Sequence, residues 1–135
     1  MPISLSEPYW LNADELSDLN EQIVEGSGEP FAIIKPNELE SAAERPRSLY
    51  LYENVDDIGC LAVRLMVAIC QNHPFAEGNK RTGFIAATIF VEDNGYVYDA
   101  EDDTAFAELL KAVITGDASE NDLIAAFRAG LIKAA

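Results

Sequence analysis

The residues best suited to chemistry lie in one short stretch, His73 to Gly83, which reads HPFAEGNKRTG. It contains the only histidine of the chain, a carboxylate at Glu77, and two of the nine basic residues, Lys80 and Arg81. Histidine is the side chain that most readily transfers protons near neutral pH, whereas ammonium and guanidinium groups bind anions. The stretch therefore combines a candidate general base with a candidate anion-binding group.

Apolar residues at helical spacing precede and follow this stretch and predict a helix–loop–helix joint. Gly78 stands where the second helix should begin, and glycine allows a ligand to approach the backbone closely. The first turn of a helix exposes unpaired N–H groups and the positive end of the dipole, which together suit phosphate. A carboxylate beside a polyphosphate, here Glu77, can also hold Mg²⁺. The loop is therefore predicted to be a phosphate-binding site.

Each of these residues also has a structural alternative. An isolated histidine near a helix end is more often structural than catalytic, and Glu77 could merely complement the helix dipole, an effect of ~0.3–1 kcal/mol. Asn79 could be an ordinary helix cap, and Lys80 and Arg81 could be surface charges. Adjacent cations at a helix N-terminus oppose the dipole, however, so a bound anion explains them better. Phe75 is predicted to anchor the loop in the core.

The length of 135 residues, 49% of them hydrophobic, predicts one domain, residues 1–135, with a core of its own. No apolar run approaches the ~20 residues of a membrane span, and the N-terminus lacks a basic region and a signal-type hydrophobic segment. Cys60 and Cys70 stand about 15 Å apart along one predicted helix, whereas a disulfide needs Cα atoms within ~7 Å. We therefore expect buried, unpaired thiols and a cytoplasmic protein that does not enter a membrane.

The formal net charge of −15 argues against nucleic-acid binding, because a phosphate backbone would meet a repulsive field. The same charge favours solubility and makes a basic protein a plausible partner. Against this acidic background, the neighbouring cations Lys80 and Arg81 indicate an anionic ligand.

Helical periodicity dominates the chain and predicts an all-α fold of about six helices with one small β element. Asn12 with Glu15, and Ser119 with Asp122, are capping pairs that mark the starts of the first and last helices. The predicted helices run from Asn12 to Gly26, from Asn37 to Glu44, from Asp56 past Cys70, from Asn79 to about Asn94, from about Phe106 to Gly116, and from Ser119 to about Leu131.

Two of these helices carry further predictions. Pro46 is expected to end the second helix, which leaves residues 48–54 as a connector. The helix that begins at Asn79 is apolar nearly all round, which predicts a place in the middle of the bundle.

Two segments are predicted to be extended. Tyr96 to Tyr98 is a brief piece, and Phe31 to Ile34 is an apolar run between Pro30 and Pro36 that could form either a strand or a small hairpin. The second segment could simply cover the core. Alternatively, its backbone edge could pair with an extended segment of a target protein.

The segment His73 to Thr82 resembles the signature of the Fic family, and its lysine followed by Arg-Thr is similar to the Doc ("death on curing") toxin branch. Leu39 to Ala42 followed by Arg45-Pro46, and Phe90 through Tyr96, also stand where Doc-like proteins carry similar segments. The resemblance covers roughly residues 9–130. It implies a compact Fic-fold helical bundle with a small β flap that docks targets. It also implies transfer of part of a nucleoside triphosphate to a hydroxyl of a protein.

Two departures from the Fic pattern distinguish the possible reactions. Adenylyltransferases of the family usually have glycine at position 80 and a second arginine at position 84, where this chain has Lys80 and Phe84. The resemblance therefore favours Doc-type transfer of the terminal phosphate, with AMP transfer as one alternative and a catalytically idle binding module as another. Ser17 and Glu21 have the spacing of the family's self-inhibition motif, but Gln22 does not fit it. Control by a separate antitoxin is therefore expected.

By this resemblance His73 is the general base for a target Ser or Thr hydroxyl, and Glu77 holds Mg²⁺. A translation GTPase such as elongation factor Tu is the implied target. The residues expected to bind the phosphates of ATP are Gly78, Asn79, Lys80 and Arg81.

Overall fold

The computed structural model describes residues 7–100 and 104–135, in which six α-helices and two short strands follow one another. The predicted all-α class with a small β element is confirmed. No helix in these two ranges is long and apolar enough to cross a membrane. Residues 1–6, on which the expectation of no signal segment partly rests, lie outside the described residues. The elements are α1 (Ala13–Gly26), α2 (Pro36–Glu53), α3 (Ile58–Asn72), α4 (Asn79–Asp93), β1 (Tyr96–Tyr98), α5 (Thr104–Ile114), α6 (Glu120–Ala129) and β2 (Leu131–Lys133).

The helix at the centre of the bundle is α3, which packs against α2, α4, α5 and α6. The helix predicted to be central, α4, instead packs mainly on α3, α1 and β1 and leaves Ile85 and Ile89 partly exposed. α3 and α4 approach closely at Gly83, where an added Cβ would lie 3.0 Å from the backbone oxygen of Met66. The two helices that flank the predicted site are therefore packed closely against each other at this glycine.

The predicted helix starts are confirmed by their caps. The side chain of Asn12 accepts from the Glu15 N–H at 2.8 Å, and the Glu15 side chain accepts from the Asn12 N–H at 2.9 Å, which together form a capping box. Ser119 accepts from the Asp122 N–H in the same way at the start of α6. Both helices therefore begin where the sequence alone places them.

The second helix was predicted wrongly. α2 does not stop before Pro46 but continues to Glu53, so residues 48–53 are helical rather than a connector. Pro46 is buried, and Leu39 and Leu49 on either side of it are also buried in the core. The burial of these side chains outweighs the hydrogen bond that a proline removes from a helix.

The two strands form a small antiparallel sheet in which Val97 faces Ile132. Tyr96 to Tyr98 is extended as predicted, and the ring of Tyr98 stacks on Phe127 with centroids 4.6 Å apart. Leu131 was predicted to continue the last helix, but α6 ends at Ala129 and Leu131 begins the second strand. This sheet closes the far end of α4 rather than the end that carries the predicted site.

Candidate active site

A cavity of about 410 Å³ opens where α3 ends and α4 begins. All six residues that the sequence singled out line it, although they differ in burial and in hydrogen bonding. The cavity is lined by Cys70, His73, Ala76, Glu77, Gly78, Asn79, Lys80, Arg81 and Ile114.

His73 ends α3 in the left-handed backbone conformation, with φ 52° and ψ 53°. Its backbone N–H donates to the Ile69 carbonyl at 3.1 Å, which completes the last turn of the helix. The side chain is exposed and makes no hydrogen bond to any residue in the described ranges. The imidazole is therefore fixed at its backbone and free at its ring, which suits a group that accepts a proton from a ligand.

Asn79 holds the loop together rather than facing the cavity with free polar atoms. Its Oδ1 accepts from the Phe75 N–H at 3.0 Å, and its Nδ2 donates to the Phe75 carbonyl at 2.8 Å. Asn79 is only 5% exposed and the Phe75 side chain is fully buried, so the predicted anchor is confirmed. Because both polar ends of the amide are occupied, Asn79 supports the site by fixing the loop.

The turn into α4 requires glycine at position 78. Gly78 has a φ of 77°, and an added Cβ would lie 3.1 Å from Val24 and 3.3 Å from Asn20. Asn20 is a residue that sequence reasoning missed. Its buried amide donates to the Glu77 carbonyl at 2.8 Å and to the Thr82 hydroxyl at 3.0 Å. One signal in the sequence is a polar residue on a buried stripe of α1, between Leu16 and Val24.

Arg81 is paired with a second residue that the sequence did not reveal, Glu29. Its Nη2 lies 2.5 Å from Glu29 Oε1, and its Nη1 donates to the Ser27 hydroxyl at 3.1 Å. Hydrogen bonds from Ser27 and then Arg81 lower the pKa of the Glu29 carboxyl below its usual value. The connection between α1 and α2 thus supplies a carboxylate to a cation predicted to bind phosphate.

Glu77 and Lys80 are exposed, and neither side chain has a partner among the residues that the structure describes. In the same residues no group of three or more His, Cys, Asp or Glu side chains is arranged to hold a metal. Mg²⁺ commonly binds one or two carboxylates together with substrate phosphates and water, so the single free carboxylate of Glu77 fits such a site.

Cys70 lies at the base of the cavity, where burial raises the pKa of its thiol to about 12, against a smaller opposing effect of Lys80. A thiol of this kind stays protonated at neutral pH and is a poor nucleophile. Cys60 and Cys70 are both free, which confirms that they do not pair; Cys70 is buried as predicted, whereas Cys60 is only partly buried.

The segment predicted to be a flap lies against the loop. Ile33 and Phe75 form an isolated antiparallel bridge, in which the Ile34 N–H donates to the Pro74 carbonyl at 2.8 Å and the Ala76 N–H to the Ala32 carbonyl at 2.9 Å. The segment therefore forms one isolated β-bridge to the loop, and neither the regular strand nor the hairpin that the sequence allowed. The backbone N–H of Ile33 has no partner in the described part of the chain, so the outer edge of the flap is open.

A second cavity, of about 430 Å³, lies between α4 and α5 and shares Lys80 and Arg81 with the first. Its apolar walls include Phe84, which is packed against Phe106 with ring centroids 5.6 Å apart. Position 84 therefore presents an aromatic ring to this cavity, beside the two cations.

The helical bundle brings a histidine, a carboxylate and two cations together at one helix junction, an arrangement that suits an anion such as phosphate. A family model described as the Fic/DOC family matches residues 10–91, more than half of the chain. Over 99 residues the chain is 35% identical to the Toxin Doc of Mycolicibacterium smegmatis, covering 72% of this chain and 75% of that protein. It is 26% identical over 110 residues to the Protein kinase doc of Escherichia phage P1, and the match covers 81% of this chain and 85% of that protein. The chain belongs to the Fic/DOC family.

Proposed function

We propose that this protein is a Doc-like toxin that transfers the terminal phosphate of ATP to a Ser or Thr hydroxyl of a target protein. The observation that carries the proposal is the cavity at the α3–α4 junction. Its lining places an unpartnered His73 ring together with Glu77, Lys80, Arg81 and the first turn of α4. The names of the two relatives, a toxin and a protein kinase, support the same activity.

In the proposed reaction His73 accepts the proton of the target hydroxyl as that oxygen attacks the terminal phosphorus. The new oxygen–phosphorus bond forms while the bond from the same phosphorus to the β-phosphate oxygen breaks, and ADP leaves. The backbone N–H groups of α4, with Lys80 and Arg81, stabilise the negative charge on the phosphate oxygens. Gly78 lets the phosphates approach these N–H groups, and Asn79 keeps the turn in place.

Mg²⁺ held by Glu77 would supply charge neutralisation on the phosphate oxygens. Glu77 suits this role because its carboxylate is free and stands one residue before the turn into α4. The apolar cavity beside Lys80 and Arg81 offers a surface for the uncharged nucleoside part of ATP.

Phosphate transfer is favoured over AMP transfer by residue 84. A second arginine there would add a positive charge for the triphosphate, whereas Phe84 packs against Phe106 and offers none. Incubating the protein and a cell lysate with ATP labelled at the γ or the α phosphate tests the choice. Label transferred only from the γ position supports the proposal. Label transferred from the α position would identify an adenylyltransferase instead.

The proposed partners follow from the same function. A toxin of this class is controlled by an antitoxin, and a net charge of −15 favours a basic segment in that partner. The target is proposed to be a translation GTPase such as elongation factor Tu, and the protein is accordingly proposed to act in the cytoplasm.

The open edge of the flap at Ile33 is proposed to pair with the target and present its hydroxyl to His73. Growth arrest on expression, absent from an inactive variant, distinguishes this protein from an idle binding module.

A further inference from the structure

A polar cavity of about 280 Å³ lies between α2 and α3, with one wall from α6. None of its lining residues lines the cavity at His73, and none of them has a role in the proposed transfer reaction. Its polar lining residues are Ser41, Arg45, Arg64, Gln71, Asn72 and Glu120.

Helical spacing explains why these side chains meet. Ser41 and Arg45 are four residues apart on α2, and Arg64 and Gln71 are seven apart on α3, so each pair lies on one face of its helix. Because α2 and α3 pack against each other, the two faces border the same cavity. Arg45 is exposed and directly precedes Pro46, which is buried on α2.

The two guanidinium groups of the cavity differ in their pairing. Arg64 forms an ion pair with Glu120. Burial is the largest single influence on the pKa of Arg64 and acts to lower it, but the hydrogen bond and the charge of Glu120 together with Cys60 outweigh it, so that the pKa is raised. Arg45 has no hydrogen bond or ion pair with any described residue. Two residues further on, Arg47 pairs with Glu7 and Glu44. In a chain of net charge −15, this cavity therefore keeps one uncompensated positive charge.

We propose that this cavity binds the carboxylate of an Asp or Glu side chain of the acceptor protein. The inference rests on the proposed function, because the acceptor is the protein whose hydroxyl reaches His73. Arg45 pairs with the carboxylate, and the Ser41 hydroxyl and the Gln71 amide donate further hydrogen bonds to it. The volume suits one side chain and lies below the ~300–1,000 Å³ of pockets that enclose larger ligands.

The position of the cavity links it to the acceptor. Its lining reaches Asn72, the residue before His73, and the Asn72 side-chain amide donates to the Glu38 carbonyl at 2.9 Å. The far end, at Arg64, is about 14 Å from His73 along α3 at 1.5 Å per residue. An extended peptide covers about 3.3 Å per residue, so the acidic residue lies within about four residues of the modified hydroxyl.

Charge reversal at Arg45 tests the proposal in the labelling reaction. When the concentration of lysate protein limits the rate, Arg45→Glu is expected to reduce phosphate transfer to lysate proteins by about tenfold or more. The reason is that residue 45 then repels the carboxylate of the acceptor instead of attracting it. Its affinity for ATP, measured by calorimetry, should equal that of the unmodified protein. Arg47→Glu, on the same helix but outside the cavity, is the matched control and should label normally. Equal labelling by Arg45→Glu and Arg47→Glu would overturn the proposal.

A direct binding measurement separates this inference from the proposed function. N-acetyl-glutamate methylamide is titrated into the protein, and N-acetyl-glutamine methylamide serves as the uncharged control. With the glutamate compound only, we expect saturable NMR shifts at the side-chain amides of Gln71 and Asn72. These shifts should be absent in Arg45→Glu.

Failure to see these shifts in the unmodified protein would overturn the inference even if phosphate transfer occurs. Saturable shifts with inorganic phosphate but not with the glutamate compound would also overturn it. If the shifts occur but no lysate protein is labelled, the transfer activity is wrong and the carboxylate site remains.

Discussion

The guanidinium of Arg81 lies 2.5 Å from the carboxylate of Glu29, which joins the first turn of α4 to the connection between α1 and α2. Both side chains are partly exposed, at 45% and 33%. A cation of the candidate phosphate site is therefore already neutralised by the protein itself. A triphosphate that binds Arg81 must share it with Glu29 or displace that carboxylate.

Glu29→Gln is expected to strengthen ATP binding modestly, by no more than about fivefold, because the ion pair is exposed to solvent and the variant no longer competes for Arg81. Isothermal titration calorimetry at pH 7 measures the effect, and Glu25→Gln at the exposed end of α1 is the control. Because the pKa of Glu29 is lowered, its carboxylate stays ionised at pH values where an ordinary glutamate becomes protonated. The ion pair with Arg81 is therefore lost only when the pH falls below this lowered pKa. Weaker ATP binding in Glu29→Gln would show that Glu29 orients Arg81 rather than competing with phosphate.

Replacement of His73 by Asn is expected to abolish phosphate transfer while the fold is retained. Asparagine tolerates the left-handed conformation of this position but cannot act as the base. His73→Ala should be equally inactive and also less stable by about 1 kcal/mol, because alanine is disfavoured at a φ of 52°. Labelling with γ-labelled ATP and urea denaturation are the two measurements. A toxic and active His73→Asn variant would mean that the histidine is structural.

Glu77→Gln is expected to remove the gain in ATP affinity that Mg²⁺ provides, because the variant keeps the size of the side chain and loses its charge. Calorimetry with and without magnesium gives the two affinities, and Asp14→Asn in the first turn of α1 serves as a control. The affinity without magnesium should be unchanged or higher, since a negative charge near the phosphates is removed. An unchanged response to magnesium would leave Glu77 with a helix-dipole role only.

Asn20→Ala is expected to destabilise the protein by about 1–3 kcal/mol, because the Glu77 carbonyl and the Thr82 hydroxyl lose a buried donor. The same change should loosen the turn into α4, so ATP affinity should fall although residue 20 is buried and belongs to another helix. Urea denaturation and calorimetry check the two effects, with Gln22→Ala on the exposed face of α1 as the control. Normal stability with normal affinity would contradict this role.

Ile33→Pro is expected to abolish labelling of the target while ATP binding is retained. The Ile33 N–H has no partner among the described residues, so proline blocks strand pairing at the outer edge of the flap and removes no hydrogen bond of the bridge. Ile34→Pro is the matched contrast, because it removes the bond to Pro74 and should weaken ATP binding as well. Target labelling that survives in a folded Ile33→Pro variant would show that another surface positions the target.

The local structure of the site follows directly from the sequence. Capping pairs such as Asn12 with Glu15 fix helix starts through contacts three residues apart, and the left-handed position of Gly78 needs glycine for steric reasons alone. The anchoring of the loop by Phe75 could also be predicted, since a large apolar side chain beside polar neighbours must be buried. These features depend on residues close together in the chain.

Long-range packing decided what the local rules could not. Pro46 stays inside α2 because the burial of that helix against α3 outweighs a missing hydrogen bond, and no local signal reports this. Leu131 leaves the helical pattern because it pairs with Tyr98 in the small sheet. Local sequence propensity predicts the wrong secondary structure around Pro46 and Leu131, because the interactions that decide it involve residues in distant parts of the chain.

The chemical groups of the site were therefore determined by the sequence, whereas their availability was decided by the tertiary structure. Residue type and spacing alone single out a histidine, a carboxylate and two cations in the loop from His73 to Arg81. Only the packing of α1 and its following turn against α4 shows that Glu29 already pairs with Arg81. The residues of that pair are 52 positions apart, and such a contact forms only when the helices between them have folded.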